Sequence, residues 1–234
     1  MNVVRKLRHP WTWAIALMLL AAPLAQAQDA GSVERVSGTA SIVNAANQAR
    51  PAREGETVRA GETVSTESGA EVMLKMKDDS KMLLRPNSQL KVAEFRYEDK
   101  PTDGMFANLL KGAVRSVTGL IGKTRPSNVR FSTTTATVGI RGTDFELAIV
   151  PEGSSDGRAG TYNYVYDGGT SLQIASGQSI AVAPEQTGLA VDNPRPGEEP
   201  LQLLRERPAF LRGGGFDALI MQLTQPIQMM PRMR

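Results

Sequence analysis

The sequence predicts an all-β domain built of short strands, arranged as a compact sandwich or roll or as a short β-solenoid-like stack. Three observations carry this. From Gly31 to about Ala183 apolar and polar residues alternate in short runs. Turn-forming clusters bound those runs, among them Asp78-Asp79-Ser80, Pro86-Asn87-Ser88 and Asp167-Gly168-Gly169. Finally, Gly55-Glu56-Thr57-Val58 recurs six residues later as Gly61-Glu62-Thr63-Val64. Six residues is a β-helix repeat length, and two successive turns of a meander explain the echo equally well.

Taken in order, the first segment is not part of the fold. Arg5, Lys6 and Arg8 precede the apolar run WTWAIALMLLAAPLA, and Ala25-Gln26-Ala27 follows. That order is the pattern of a secretory signal cleaved after Ala27, and the run falls short of the ~20 residues a spanning helix needs. Residues 1–27 are therefore expected to be removed, leaving a periplasmic or secreted chain with no stable membrane span. The formal charge of +3 disappears with them, because three of the 27 basic residues go and 24 remain against 24 acidic ones. No global basic field is left, so nucleic acid is not an expected partner. The only histidine, His9, and both tryptophans, Trp11 and Trp13, also lie in the leader, and the chain has no cysteine. Cys/His metal sites, disulfides, cysteine nucleophiles and histidine bases are excluded from what remains. No metal, no cofactor and no catalytic residue is expected.

Strands are expected where Val36, Gly38, Ala40 and Ile42 alternate with polar residues, and again through Val72, Leu74 and Met76. Leu90 and Val92 precede Phe95 and Tyr97, with a change of parity between them. In MFANLLKGAVRS the helical spacing of Phe106, Leu109 and Leu110, with glycines nearby, suggests a single helical turn or a bent strand. The stretch from Thr133 to Val150 is divided against itself. Ala136, Val138 and Ile140 fall on even positions, whereas Phe145, Leu147 and Ile149 fall on odd ones. Side chains of a strand alternate with period two, so a β-bulge at Arg141-Gly142-Thr143 is expected to absorb one residue. Gly142 would supply the unusual backbone angles, and Thr143 and Asp144 would tie their side chains to nearby backbone. Arg141 is expected to clamp carbonyls or a carboxylate of a neighbouring strand; the alternative places Arg141 and Asp144 in an exposed ligand site.

Tyr162, Tyr164 and Tyr166 share one face of one strand, either as core and rim packing or as a binding platform. After Pro184 the composition shifts through NPRPGEEP, and residues 184–234 read as a linker and an extended tail. Short helices are expected at Leu201–Glu206 and Phe216–Leu223. Phe216, Leu219, Ile220 and Leu223 have the spacing for docking, in cis on this domain or in trans on a partner.

The order of the turn motifs resembles the FecR domain, a periplasmic β-domain of sensor regulators and other exported proteins. The matching pieces include Gly55 and Gly61, Leu84-Arg85-Pro86-Asn87-Ser88 and Lys111-Gly112-Ala113-Val114-Arg115. The most specific piece runs from Thr135 through Gly139, Arg141, Gly142 and Thr143 to Phe145. The similarity covers about residues 31–183 and marks Gly139, Arg141, Gly142, Thr143, Pro86, Asn87 and Ser88 as a structural motif. One departure is Asp79, where the family has glycine. Only the leader precedes Gly31, so the resemblance extends to the periplasmic module and not to sigma-factor binding. The expected function is a non-enzymatic, exported protein-interaction domain in envelope sensing or signalling, with a periplasmic or envelope protein as partner through residues 195–234. The alternative is a cell-wall or polysaccharide-binding module using the tyrosines. The oligomeric state is left open.

Overall fold

A computed structural model describes residues 28–211 and 216–218. The leader, and Leu219, Ile220 and Leu223 of the tail, lie outside the described residues. The chain is a sandwich of two nine-stranded sheets. It zigzags between them, laying down one or two strands before crossing to the other sheet.

β1 (Asp29–Ser37) lies in sheet A, β2 (Ala40–Val43) and β3 (Ala49–Pro51) in sheet B, β4 (Thr57–Arg59) in A and β5 (Thr63–Thr66) in B. The hairpin β6 (Glu71–Met76) and β7 (Lys81–Leu84) returns to A, and β8 (Gln89–Arg96) with β9 (Gly104–Lys111) to B. β10 (Ala113–Val117) in A leads through the one-turn helix α1 (Leu120–Thr124) to β11 (Val129–Ser132) and β12 (Thr137–Ile140) in B. β13 (Asp144–Val150) and β14 (Gly160–Asp167) lie in A, β15 (Thr170–Gln173) and β16 (Ser179–Val182) in B, and β17 (Thr187–Val191) and β18 (Leu201–Leu204) in A. Pairing is antiparallel except between β9 and β11. The spatial order is β18-β17-β14-β13-β10-β7-β6-β1-β4 in A and β16-β15-β12-β11-β9-β8-β5-β2-β3 in B.

The core lies between the sheets. Val72, Leu74, Met82, Val114, Phe145 and Leu147 from A meet Ile42, Val64, Leu90, Leu109, Phe131 and Val138 from B. Phe131 and Phe145 contact edge to face at 5.0 Å, an arrangement worth about 1 kcal/mol beyond burial.

This zigzag explains the parity change at residues 140–145. Val138 and Ile140 point into the core from sheet B, while Phe145 and Leu147 point into it from sheet A. Arg141-Gly142-Thr143 is the corner between two sheets, not a bulge within one strand, and a bend that moves the chain to the facing sheet reverses which parity is inside. Gly142 has φ +59°, as the corner demands, and a register irregularity follows between Asp144 and Phe145. The repeated Gly-Glu-Thr-Val has the same origin: its two copies start β4 and β5, and bury Val58 and Val64 from opposite sheets. Arg50 ties the copies together, its Nε donating to Glu56 and its Nη1 and Nη2 to Glu62, at 2.7–2.9 Å.

The corners cross in pairs. A Cβ on Gly38 would lie 2.9 Å from Ala70 Cα, one on Gly112 would lie 2.6 Å from Ser88 Cα, and one on Gly168 would lie 2.1 Å from the Gly142 carbonyl oxygen. In each pair a strand leaving one sheet passes over a strand arriving, too closely for a side chain. The Pro86-Asn87-Ser88 corner is one of these, with Asn87 at φ +55° and the Ser88 hydroxyl donating to the Ala113 carbonyl at 3.0 Å.

Three other expectations change. MFANLLKGAVRS forms two strands in different sheets, with Met105, Ala107 and Leu109 inward on β9 and Gly112 at the corner. Leu201–Leu204 is a strand rather than a helix, because β17 offers it a partner edge, with Leu189 opposite Gln202. Strand structure continues past the expected boundary at residue 183, since every residue of β17 is buried.

Candidate functional site: the covered outer face of sheet A

Sheet B alternates between buried inward and open outward positions, whereas several strands of sheet A are buried on both faces. On β14, Thr161, Asn163 and Val165 face the core and Tyr162 and Tyr164 face outward, yet all five are buried. The cover is the chain's own C-terminal stretch. Phe210 packs edge to face on Tyr162 at 5.1 Å, and Leu211 is fully buried beside Tyr162, Tyr164, Leu189 and Val191. The Arg207 guanidinium lies over the Tyr164 ring at 4.1 Å.

Beside this apolar patch lies an ion network. Its carboxylates are Glu71 from β6, Asp144 and Glu146 from β13, and Asp217; its cations are Arg85 after β7, Arg115 on β10, and Arg207. Glu146, only 1% exposed, accepts from Arg85 Nε at 2.8 Å and from the Tyr166 hydroxyl at 2.7 Å. Arg115 grips Asp144 with both arms of its fork, Nε to Oδ1 at 2.9 Å and Nη2 to Oδ2 at 2.6 Å. Its guanidinium sits 3.8 Å above the Tyr166 ring centroid. Arg85 and Arg115 then meet on one carboxylate, that of Asp217. Burial opposes the charge on both arginines, but the carboxylate partners prevail, and their pKa values rise above the ordinary range. Burial, reinforced by Glu146, pushes the Tyr166 hydroxyl well up, so it stays a neutral donor.

The residues singled out by sequence are distributed unevenly over this face. Asp144 and Tyr166 meet through Arg115. Tyr162 and Tyr164 are covered and present no open platform while residues 207–211 lie on them. Arg141 lies apart: its side chain is exposed and makes no hydrogen bond or ion pair with the described residues, while its backbone N–H donates to Gly169 O at 2.9 Å. The arginine fork expected at the corner comes from Arg115, which grips the corner's carboxylate from the adjacent strand. Thr143 is held through its backbone by Thr118 Oγ1, and its own hydroxyl has no partner among the described residues. Gly139 sits in β12 with open space where a Cβ would be. Sequence reasoning passed over Arg85, Arg115, Glu146, Arg207 and Asp217 as site residues. The first two stood in the quoted family pieces, but nothing local distinguishes a covered outward arginine from a solvated one.

Residues 62–169 match the family described as FecR protein. The chain carries a FecR domain. The matched span runs from the Gly61-Glu62 turn to the Gly168-Gly169 corner, so it holds the two crossings built on Gly112 and Gly168 and most of the ion network. Arg207 and Asp217 lie beyond it. Curated proteins give no match. Two crystal structures of a candidate anti-sigma factor from Parabacteroides distasonis, at 1.65 and 2.50 Å resolution, are similar, with 13% identity and a TM-score of 0.47. The likeness covers 62% of this chain and 60% of that one, so this chain spans about three fifths of that protein. Among the described residues no helix is long and apolar enough to cross a membrane.

Proposed function

We propose that this chain is a non-enzymatic FecR-like domain, exported through its N-terminal leader to the periplasm or beyond, that mediates protein contacts in envelope sensing or signalling. The observation that carries this reading is the outer face of sheet A. Buried Glu71, Arg115 and Glu146 lie there, around a peptide segment of the chain itself. Arg85, Arg115, Glu71, Asp144, Glu146 and two covered tyrosines form a surface that holds Arg207 and Asp217 of that segment. Family membership supports a regulatory rather than a chemical role, and the leader pattern supports export.

The edge strand β18 offers a second contact. Leu203 is 49% exposed, and edge strands accept partner strands. A photo-crosslinking residue at Leu203 of the full chain, expressed in the native envelope, is expected to yield a discrete protein adduct that survives physiological salt. Turnover of an ester, glycoside or peptide substrate by the purified mature chain would overturn the reading.

A further inference from the structure

We infer that the outer face of sheet A is a docking site for a partner peptide carrying an aromatic residue followed directly by an acidic one, and that Phe216-Asp217 occupies it in the free chain as a built-in competitor. This rests on the protein-interaction reading above and names the chemistry of the contact.

The site has two adjacent halves. One is an apolar seat, in which Met73 of β6 and Leu83 of β7, both fully buried, form with Val117 a cluster that the Phe216 side chain caps. The other is an anion clamp. Arg85 donates to Asp217 through Nη1 and through Nη2, the latter at 2.8 Å, and Arg115 Nη1 donates to the same carboxylate at 2.8 Å. Between the halves, the Phe216 backbone N–H donates to Glu71 Oε2 at 2.9 Å, which fixes the direction of the incoming chain. Glu71 also lies 3.6 Å from Arg85 Nη1.

Both forks are positioned without Asp217. Glu146 holds Arg85 by its Nε, Asp144 holds Arg115 by Nε and Nη2, and Tyr166 supports the Arg115 plane from below. Both arginines thus meet the Asp217 carboxylate from positions fixed by other partners, and a pre-aimed clamp binds with little ordering cost. A carboxylate matches paired guanidinium donors, and the aromatic neighbour matches the seat beside them.

The occupant is built to leave. Gly213-Gly214-Gly215 directly precedes Phe216 in the sequence, and glycine is the residue with the freest backbone. Phe216 and Asp217 make the contacts given above, and Ala218 is exposed. Phe210 and Leu211 cover the tyrosines in an apolar cluster distinct from the one that Phe216 caps.

The test uses the full mature chain, unaltered and as Phe216→Ala/Asp217→Ala, titrated with a labelled peptide of residues 209–221 as the probe. The double variant is expected to bind it saturably, and the unaltered chain at least tenfold more weakly because its site is filled. The same peptide with Phe216→Ala and Asp217→Asn is expected to lose binding, and added salt to weaken it. Asp217→Asn alone in the full chain gives a milder opening should the double variant melt early. Equal affinity for both chains, or no binding to either variant, would overturn the inference. So would a concentration-dependent dimer of the unaltered chain that the double variant loses, since the occupant would then be a second copy. A crosslinked partner at Leu203 together with a failed titration would refute this site chemistry while leaving the proposed function standing.

Discussion

The outward faces of the two sheets are made from similar strands and have opposite fates. Sheet B is open: Phe106, Asn108, Arg130, Thr137, Ser171 and Gln173 face solvent wholly or in part, while their neighbours Ala107, Phe131, Val138 and Leu172 fill the core. Sheet A is closed over at its central strands by residues more than thirty positions downstream of them, and its outward side chains there include Arg115 at 3% and Glu146 at 1% exposure. The lesson is that covering a sheet face turns ordinary surface charges into a buried network. Such charges are costly to desolvate and must be fully paired.

The sharpest way to break this comparison is to remove one charge from each face. Glu146→Ala removes a buried carboxylate that pairs Arg85 and accepts from Tyr166, and is expected to cost about 3 kcal/mol, or about 10 °C in Tm. Arg130→Ala on the open face is expected to stay within about 0.5 kcal/mol by chemical denaturation. A smaller contrast lies at the corner between the faces. Gly142→Val places a β-branched residue at φ +59° and is expected to cost at least about 1 kcal/mol. Gly139→Ala, three residues earlier on the open face, adds a Cβ that meets no atom within 4 Å and is expected to remain within about 0.5 kcal/mol.

How far the sequence could be read follows the same division. Where one face is open, alternation identifies strands, as at Ala40/Ile42 and Val138/Ile140. β9 stayed between a helical turn and a bent strand because its outward Phe106 and Leu110 are apolar and its inward Ala107 is small, so the pattern imitated helical spacing. β18 failed because four residues carry little signal and the stabilising partner, β17, is not local. At residues 140–145 the parity slip was visible, and Gly142 was correctly given the unusual angle. What could not be read was that the strand continues in a different sheet. The FecR resemblance was legible from the turn motifs because turns depend on single residues. The ion network was not, because Asp217 lies 102 residues from Arg115 and 132 from Arg85.

Two finer tests complete the comparison. Asp79 adopts φ +62° in the β6–β7 turn where the resembling family has glycine, so Asp79→Gly is expected to stabilise by about 0.5 kcal/mol, read from the denaturation midpoint. At the end of sheet A, Arg158 grips Glu198 with Nε at 2.9 Å and Nη2 at 3.0 Å, and that fork lowers the carboxyl pKa to about 2. The depressed value means that this contribution is present above the unfolded pKa of about 4.3 and is lost as pH falls toward 2. Carboxyl NMR is expected to show the late titration, and Arg158→Gln to move it back toward the ordinary range.

Methionine oxidation reads the central claim most directly. Met73 and Met82 are both fully buried, but Met82 lies between the sheets and Met73 lies on the outer face beneath Phe216. Peptide mapping after brief peroxide exposure is expected to find both protected in the unaltered chain. In Phe216→Ala/Asp217→Ala, Met73 is expected to oxidise severalfold faster while Met82 is unchanged. A Met73 already as reactive in the unaltered chain as in unfolded protein, or two methionines that respond together, would contradict a closed face held by a removable plug.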